Sequence, residues 1–310
     1  MNALIAEGMH PAGEAVLRRA GWRLFEPGGC DQPQEMDALI VRSVFRVDGT
    51  ALERFPRLSA VAKLGTGLDN IDLSACKYRG VRVINAAGMN ALSTAEFGLM
   101  QILSHYKNKS RIDAAVKRRD FRRAEYFGRE LSGLTVGVIG YGSVGQHLVR
   151  LLEPVVAKIL VSSNRKPLKE PTDQCHFVMS LDLLLKEAEV IVLALSLAGN
   201  ELMINQDFLA QVKPDAVFIN MARGGLVDEP ALVKFLQSHP QAYYYCDVIE
   251  PEPDYTLPPG RQSFDHPLLK VPNTIYTPHI AGMTRECQEK IAIKVAEELI
   301  SLSKEIVHGR

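Results

Sequence analysis

Three side chains able to do acid–base and anion chemistry stand in short motifs of the C-terminal half: Arg223 in NMARGG, Glu252 in DVIEPEP and His279 in TPHIAG. An arginine offers a planar fork of N–H donors to a carboxylate or to charge developing on an alkoxide. A histidine gives a proton to a carbonyl oxygen or takes one from a hydroxyl, and a glutamate beside it holds the ring in one tautomer. Together they suit a hydride exchange, in which hydride moves at carbon while a proton moves at oxygen. Taken singly, each has a plainer use. A lone histidine near a strand end is more often a structural hydrogen-bonding residue, and a lone arginine or glutamate in a loop is usually solvated. Their shared position lifts them: each follows a run that reads as a strand, and open α/β sheets bind ligands beyond the carboxyl ends of their strands. Zinc would also use a His–Glu pair. No HExxH or second well-placed histidine is present, so no metal site is expected.

A hydride exchange needs a carrier, and LTVGVIGYGSVG at 134–145 offers a place for one. The apolar run Leu134 to Ile139 enters a turn with glycines at 140, 142 and 145, and helix-compatible sequence follows from Gln146 to Leu152. This strand–turn–helix setting is what a GxGxxG needs to serve as a dinucleotide site, with the pyrophosphate on the helix N-terminus. A glycine-rich turn without a ligand is the plain alternative, and the flanking elements weigh against it.

The elements that must position these groups alternate along the chain. Strands are expected at Asn2–Ala6, Trp22–Phe25, Ala38–Val41, Ser59–Lys63 and Val81–Ile84, with helices at Pro11–Ala20, Asp48–Phe55 and Ile71–Arg79 between them. A long amphipathic helix begins at Ala91. After the glycine turn come strands at Lys158–Val161, Val190–Leu195, Ala216–Met221, Ala242–Val248 and Thr274–Thr277, with helices including Leu181–Glu187 and Glu229–Gln237. Pro251–Pro267 reads as a long irregular loop, and Ala281–His308 as a closing helix. The pattern gives an α/β protein with two doubly wound parallel sheets.

The chain has 310 residues, 46% hydrophobic and 23% charged, with 36 basic and 36 acidic side chains. That length holds two domains, and the zero net charge gives no bulk field for nucleic acid or an anionic membrane. The five cysteines are scattered without a CxxC, and the N-terminal apolar run is too short for a signal peptide. A cytoplasmic enzyme without nucleic-acid or membrane partners is expected. Lys117 to Leu131 is basic, with aromatics at 121, 126 and 127, and reads either as a solvated segment or as a partner-binding arm.

With NMARGGLVDE at 220–229, Asp247 before Glu252-Pro253, TPHIAG at 277–282 and the glycine turn, the chain resembles the D-isomer-specific 2-hydroxyacid dehydrogenase family. LIVRS at 39–43, KLGTGLDNID at 63–72, NAAGMNALSTAE at 85–96 and YFGRELSG at 126–133 resemble its D-3-phosphoglycerate dehydrogenase branch. The resemblance implies a Rossmann nucleotide domain, residues 104–280, inserted in a flavodoxin-like substrate domain, residues 1–103 and 281–310. It gives Arg223 to the substrate carboxylate and carbonyl, His279 to proton transfer and Glu252 to supporting His279. It implies cofactor contacts from Gly140, Gly142, Ser143, Val144, Gly145, Ser163, Asn164, Arg165, Met221, Ala222, Asp247 and Gly282, with Asp247 toward the nicotinamide carboxamide. The backbone of Gly65, Thr66 and Gly67, with Arg42 and Lys63, would face the substrate. A homodimer through the nucleotide domain is implied, which favours 117–131 as a clasping arm.

Three departures stand out. Family members that use NAD carry an acidic residue after the second strand of the nucleotide domain; here the run is VSSNRK, with Ser163 at that place and Arg165 and Lys166 following. A carboxylate would repel a 2′-phosphate whereas Ser and Arg would bind it, so NADP is favoured over NAD. Lys63 stands where the branch often has arginine, and Ala-Leu-Ser-Leu follows Leu193 in place of a His/Thr-Pro pattern. The appended regulatory domain of longer phosphoglycerate dehydrogenases is not expected. The implied activity is interconversion of a D-2-hydroxy acid and its 2-oxo acid, with D-3-phosphoglycerate a candidate. The alternatives are an NADPH-dependent glyoxylate or hydroxypyruvate reductase, or a dinucleotide-sensing scaffold like the family's corepressor relatives.

Overall fold

The computed structural model of the chain describes residues 1–29, 32–164, 175–177, 180–255 and 257–308. Two units separate: Met1–Asn90 with Met283–Arg310, and Ala91–Gly282.

The first unit begins with β1 (Asn2–Ile5), α1 (Pro11–Arg19), β2 (Arg23–Phe25), β3 (Ala38–Val41), α2 (Gly49–Glu53), β4 (Ala60–Lys63), α3 (Leu73–Tyr78) and β5 (Arg82–Asn85). Every residue of β3 and β4 is buried, as the apolar runs ALIV and AVA require when both faces of a parallel sheet are covered, and β4 ends on the buried Lys63. The strands pair in parallel in the order β2-β1-β3-β4-β5, the flavodoxin-like arrangement. Helix starts follow local chemistry. Asp48 and Asp72 cap α2 and α3 by accepting from the N–H groups of Ala51 and Ala75 at 2.9 and 2.8 Å.

The second unit runs through α4 (Ala91–Tyr106), α5 (Lys109–Lys117), β6 (Thr135–Ile139), α6 (Ser143–Leu152), β7 (Lys158–Ser162), β8 (Cys175–Phe177), α7 (Leu181–Glu187), β9 (Val190–Leu193), α8 (Gln206–Leu209), β10 (Val217–Asn220), α9 (Glu229–Ser238), β11 (Tyr243–Cys246) and β12 (Thr274–Tyr276). Its seven strands are parallel in the order β8-β7-β6-β9-β10-β11-β12, the Rossmann order with one further strand. Alternate residues feed two cores. Val190, Val192, Val217 and Ile219 lie in one, and Ile191, Leu193 and Phe218 in the other. The boundary expected at 103/104 falls inside α4, and the whole helix lies in this unit. Gly98 explains why: a Cβ there would sit 2.6 Å from Met221 Cε and 3.6 Å from Leu148 Cδ1, so α4 lies directly on β10's end and on α6.

The last helix, α10 (Arg285–His308), belongs to the first unit. Cys287, Ile291, Val295 and Leu299, each four residues on, bury one stripe in the core that holds Leu17, Ile5, Ile40 and Ala62. Gly13 of α1 lets the two helices meet, since a Cβ there would lie 2.6 Å from the Ala292 carbonyl oxygen. Among the described residues no helix is long and apolar enough to cross a membrane.

Candidate active site

The glycine turn leaves β6 at the point where strand order reverses, between β6 and β9. Gly140 has φ +100°, and a Cβ there would lie 2.4 Å from the Ala194 carbonyl oxygen. Only glycine meets both demands. Gly142 caps α6 without a side chain, and nothing lies within 4 Å of where its Cβ would be. That open space lies beside the N–H groups of Ser143 and Val144, which have no acceptor within the helix. Gly145 is needed for packing, since its Cβ would lie 2.3 Å from the Gly140 carbonyl oxygen. The turn therefore fits a dinucleotide pyrophosphate: donors on a helix end, with clear approach. Ser163 and Asn164 follow β7 directly. Arg165 and Lys166 lie outside the described residues.

Arg223 is positioned by a buried asparagine. Asn220 ends β10 fully buried, and its Nδ2 donates to the Arg223 carbonyl at 2.9 Å and to Tyr244 Oη at 3.1 Å. Its Oδ1 accepts from the Ala222 N–H at 3.0 Å. One amide thus folds the Met221–Ala222–Arg223 turn. Arg223 Nη1 donates to the Ala222 carbonyl at 2.6 Å.

His279 follows β12 with φ +54°, backbone that a histidine seldom adopts. Asp247, buried after β11, accounts for it. The Asp247 carbonyl accepts from the His279 N–H at 2.9 Å. Its carboxylate Oδ1 accepts from Thr277 Oγ1 at 2.6 Å and the Ile280 N–H at 2.9 Å, and Oδ2 from the Ala281 N–H at 2.8 Å. Burial pushes the Asp247 carboxyl upward, while these three bonds and the neighbouring His279 oppose the shift. The His279 ring meets Glu252 across a 2.9 Å bond from Nδ1 to Oε2. Tyr255 stands edge-on to that ring at 6.5 Å, its hydroxyl 2.9 Å from the Tyr276 hydroxyl. Burial raises the Tyr255 hydroxyl far above its ordinary range, with Tyr276 and Glu252 acting the same way.

In the first unit the expected substrate residues gather at the carboxyl ends of β3 and β4. Lys63 is buried, and its ammonium donates to the Arg42 carbonyl and to Asn70 Oδ1. The Arg42 guanidinium bonds Gln288 Oε1 and, at 3.4 Å, the Gly8 carbonyl; burial lowers its basicity. The Gly65 carbonyl accepts from the Ala86 N–H at 3.0 Å, and Thr66 Oγ1 donates to Asn90 Oδ1 at 2.8 Å. The loop continues through Gly67.

The expected catalytic residues thus lie on adjacent strand ends, with His279 and Glu252 in contact. Asp247, expected toward the cofactor, spends both carboxylate oxygens on the His279 turn. Gly282 closes the same segment. Asn220, Tyr244 and Tyr255 were missed. Asn220 lies inside the NMARGG motif, but a buried amide that shapes a turn has no signature beyond its place. Among the described residues no group of three metal-binding side chains forms.

Residues 99–281 match the family model for the D-isomer specific 2-hydroxyacid dehydrogenase NAD binding domain. The chain is similar to a D-3-phosphoglycerate dehydrogenase of Archaeoglobus fulgidus, 30% identical over 312 residues, which cover 98% of this chain but 58% of that protein's length. It is similar to an (S)-sulfolactate dehydrogenase of Chromohalobacter salexigens, 35% identical over 300 residues and 94% of each chain. The solved D-lactate dehydrogenase of Aquifex aeolicus, complexed with NAD and lactic acid, superposes with a TM-score of 0.83 at 28% identity, covering 99% of this chain and 96% of that one.

Proposed function

Because the chain belongs to the D-isomer specific 2-hydroxyacid dehydrogenase family, we propose that it is a nicotinamide-dependent oxidoreductase interconverting a D-2-hydroxy acid and its 2-oxo acid. The observation that carries this reading is the 2.9 Å His279–Glu252 bond. With Nδ1 bonded to a carboxylate, Nδ1 holds the proton of the neutral ring and Nε2 is left for the substrate. A bound nicotinamide would supply or take the hydride at substrate C2. In reduction the His279 imidazolium gives its Nε2 proton to the carbonyl oxygen, and in oxidation neutral Nε2 takes the hydroxyl proton. Arg223 holds the substrate carboxylate and steadies the negative charge developing on oxygen. Asp247 keeps the His279 turn in its left-handed conformation throughout.

NADPH is the preferred cofactor, since Ser163 rather than a carboxylate follows β7 and basic residues come next in sequence. Lys63 and Arg42 are engaged by acceptors of their own unit. This favours a small unphosphorylated 2-oxo acid such as glyoxylate or hydroxypyruvate over 3-phosphohydroxypyruvate. A homodimer through the 117–131 segment and a reducing compartment complete the reading. The buried thiols of Cys76, Cys246 and Cys287 suit the latter.

An initial-rate panel tests it, pairing NADPH and NADH with glyoxylate, hydroxypyruvate, 3-phosphohydroxypyruvate and a larger 2-oxo acid. The expected result is turnover on the unphosphorylated acids, faster with NADPH. Dominant turnover of 3-phosphohydroxypyruvate would reverse the substrate assignment. Tight cofactor binding without turnover of any acid would leave the sensing scaffold.

A further inference from the structure

A second carboxylate–histidine pair, which the reaction does not use, bonds the same chain two residues before Glu252. Glu229, in the first turn of α9, and His266, at the end of the Pro251–Pro267 loop, are both nearly buried, and Glu229 Oε2 meets His266 Nε2 at 2.9 Å. A glutamate in a first helical turn usually serves the helix dipole and stays in water. Glu229 instead reaches to the chain leaving β11, where its Oε1 accepts from the Glu250 N–H at 3.0 Å. His266 Nε2 reaches the Glu250 carbonyl at 3.2 Å. His266 Nδ1 accepts from the Leu268 N–H at 3.3 Å, so the ring proton lies on Nε2, between Glu229 and that carbonyl. The pair therefore holds both backbone polar groups of Glu250. On another side the same peptide presses on Gly224, whose Cβ would lie 2.3 Å from Ile249 C and 2.7 Å from the Glu250 nitrogen.

Burial pushes the Glu229 carboxyl upward, so holding it there costs stability. The position of Glu250 explains the outlay. Two residues later comes Glu252, whose contact with His279 needs hydrogen-bond precision, yet Glu252 sits in a long proline-rich loop. Gly224, which the same peptide touches, adjoins Arg223. We propose that Glu229 and His266 form a buried clamp on Glu250 that sets Glu252 against His279, making both positioning residues for the acid–base pair. This rests on the dehydrogenase reading, but the contact it concerns can be measured without turnover.

The test uses the full chain labelled with ¹⁵N-histidine, at alkaline pH where the rings are neutral. His279 is identified by the loss of its signals in His279→Asn. In the parent its shifts should report Nδ1–H. Glu252→Ala should move them toward the Nε2–H form that free imidazole favours. Glu229→Gln and His266→Gln should move them at least halfway to the Glu252→Ala values. They should also lower kcat by about ten- to a hundredfold, with KM for the nicotinamide unchanged. Added to Glu252→Ala, neither should move the His279 shifts or kcat further. Two results overturn the clamp: parental His279 shifts in either folded variant, or an equal further loss in the Glu252→Ala background. Two variants guard against one failing to fold. A parent without dehydrogenase turnover would remove the proposed function, while the histidine shifts would still decide the clamp.

Discussion

His279 combines an awkward backbone with a directed ring, and the two can be separated. Asparagine tolerates left-handed backbone, so His279→Asn keeps the turn while removing the proton carrier. The expected loss in kcat is about 10²- to 10⁴-fold, with NADPH binding retained by fluorescence titration. A second histidine governs stability instead. His105 packs among Tyr106, Tyr243 and Tyr245 with its Nδ1 3.1 Å from Tyr245 Oη, and burial lowers its pKa to about 4. The unfolded chain takes up this proton near pH 6.5, whereas the folded chain resists it down to about 4. The stability His105 contributes is therefore complete above pH 6.5 and lost as pH falls toward 4, by at most about 3 kcal/mol. His105→Gln should flatten urea-unfolding stability across that window. His279 was legible in sequence because TPHIAG follows a strand. His105 was not, since its role depends on tyrosines about 140 residues away.

At the scale of elements, the β6–α6 turn separates folding from binding within three residues. Gly142→Ala places a methyl where nothing lies within 4 Å, so the melting temperature should stay within a few degrees. The methyl would occupy the approach to the α6 N-terminus, and dinucleotide affinity should fall at least about tenfold by titration calorimetry. Gly140→Ala combines strained φ with a clash on the Ala194 carbonyl, and should cost stability as well, about 1–3 kcal/mol by thermal unfolding. The strands were legible because parallel strands buried on both faces are unbroken apolar runs, as in β3 (ALIV) and β9 (VIVL). The short elements β8 and α8 were not, because three or four residues carry no period. Nor could periodicity assign α4 to a unit, since that depends on Gly98 meeting Met221.

At the scale of the whole molecule, cofactor choice and assembly are the properties to test. Ser163→Asp adds a carboxylate that accepts from a 2′-hydroxyl and repels a 2′-phosphate. It should shift the NADPH:NADH ratio of kcat/KM at least about tenfold toward NADH. Phe121 and Phe127 are 69% and 81% exposed, a large apolar cost for a segment this basic. The double variant Phe121→Ser/Phe127→Ser should convert a dimer to monomer by sedimentation. Sequence alone carried the two-sheet plan, because alternating strands and helices specify it, and the motif residues fell at strand ends. The Glu229–His266 pair, the Asp247 lock and the Lys63 anchorage joined residues far apart in the chain, and needed coordinates.

The closing helix sets a schedule for synthesis. Leu17 and its neighbours on α1 emerge early, but the Ile291, Val295 and Leu299 stripe that covers them is made only after the whole of Ala91–Gly282. At ordinary translation speeds that interval lasts roughly 10–40 s. The inserted unit has all its strands before the first unit has its last helix, so it can mature on the ribosome while the older half waits with an open apolar face. Slowing translation of the middle of the message should lengthen the time that apolar face stays open.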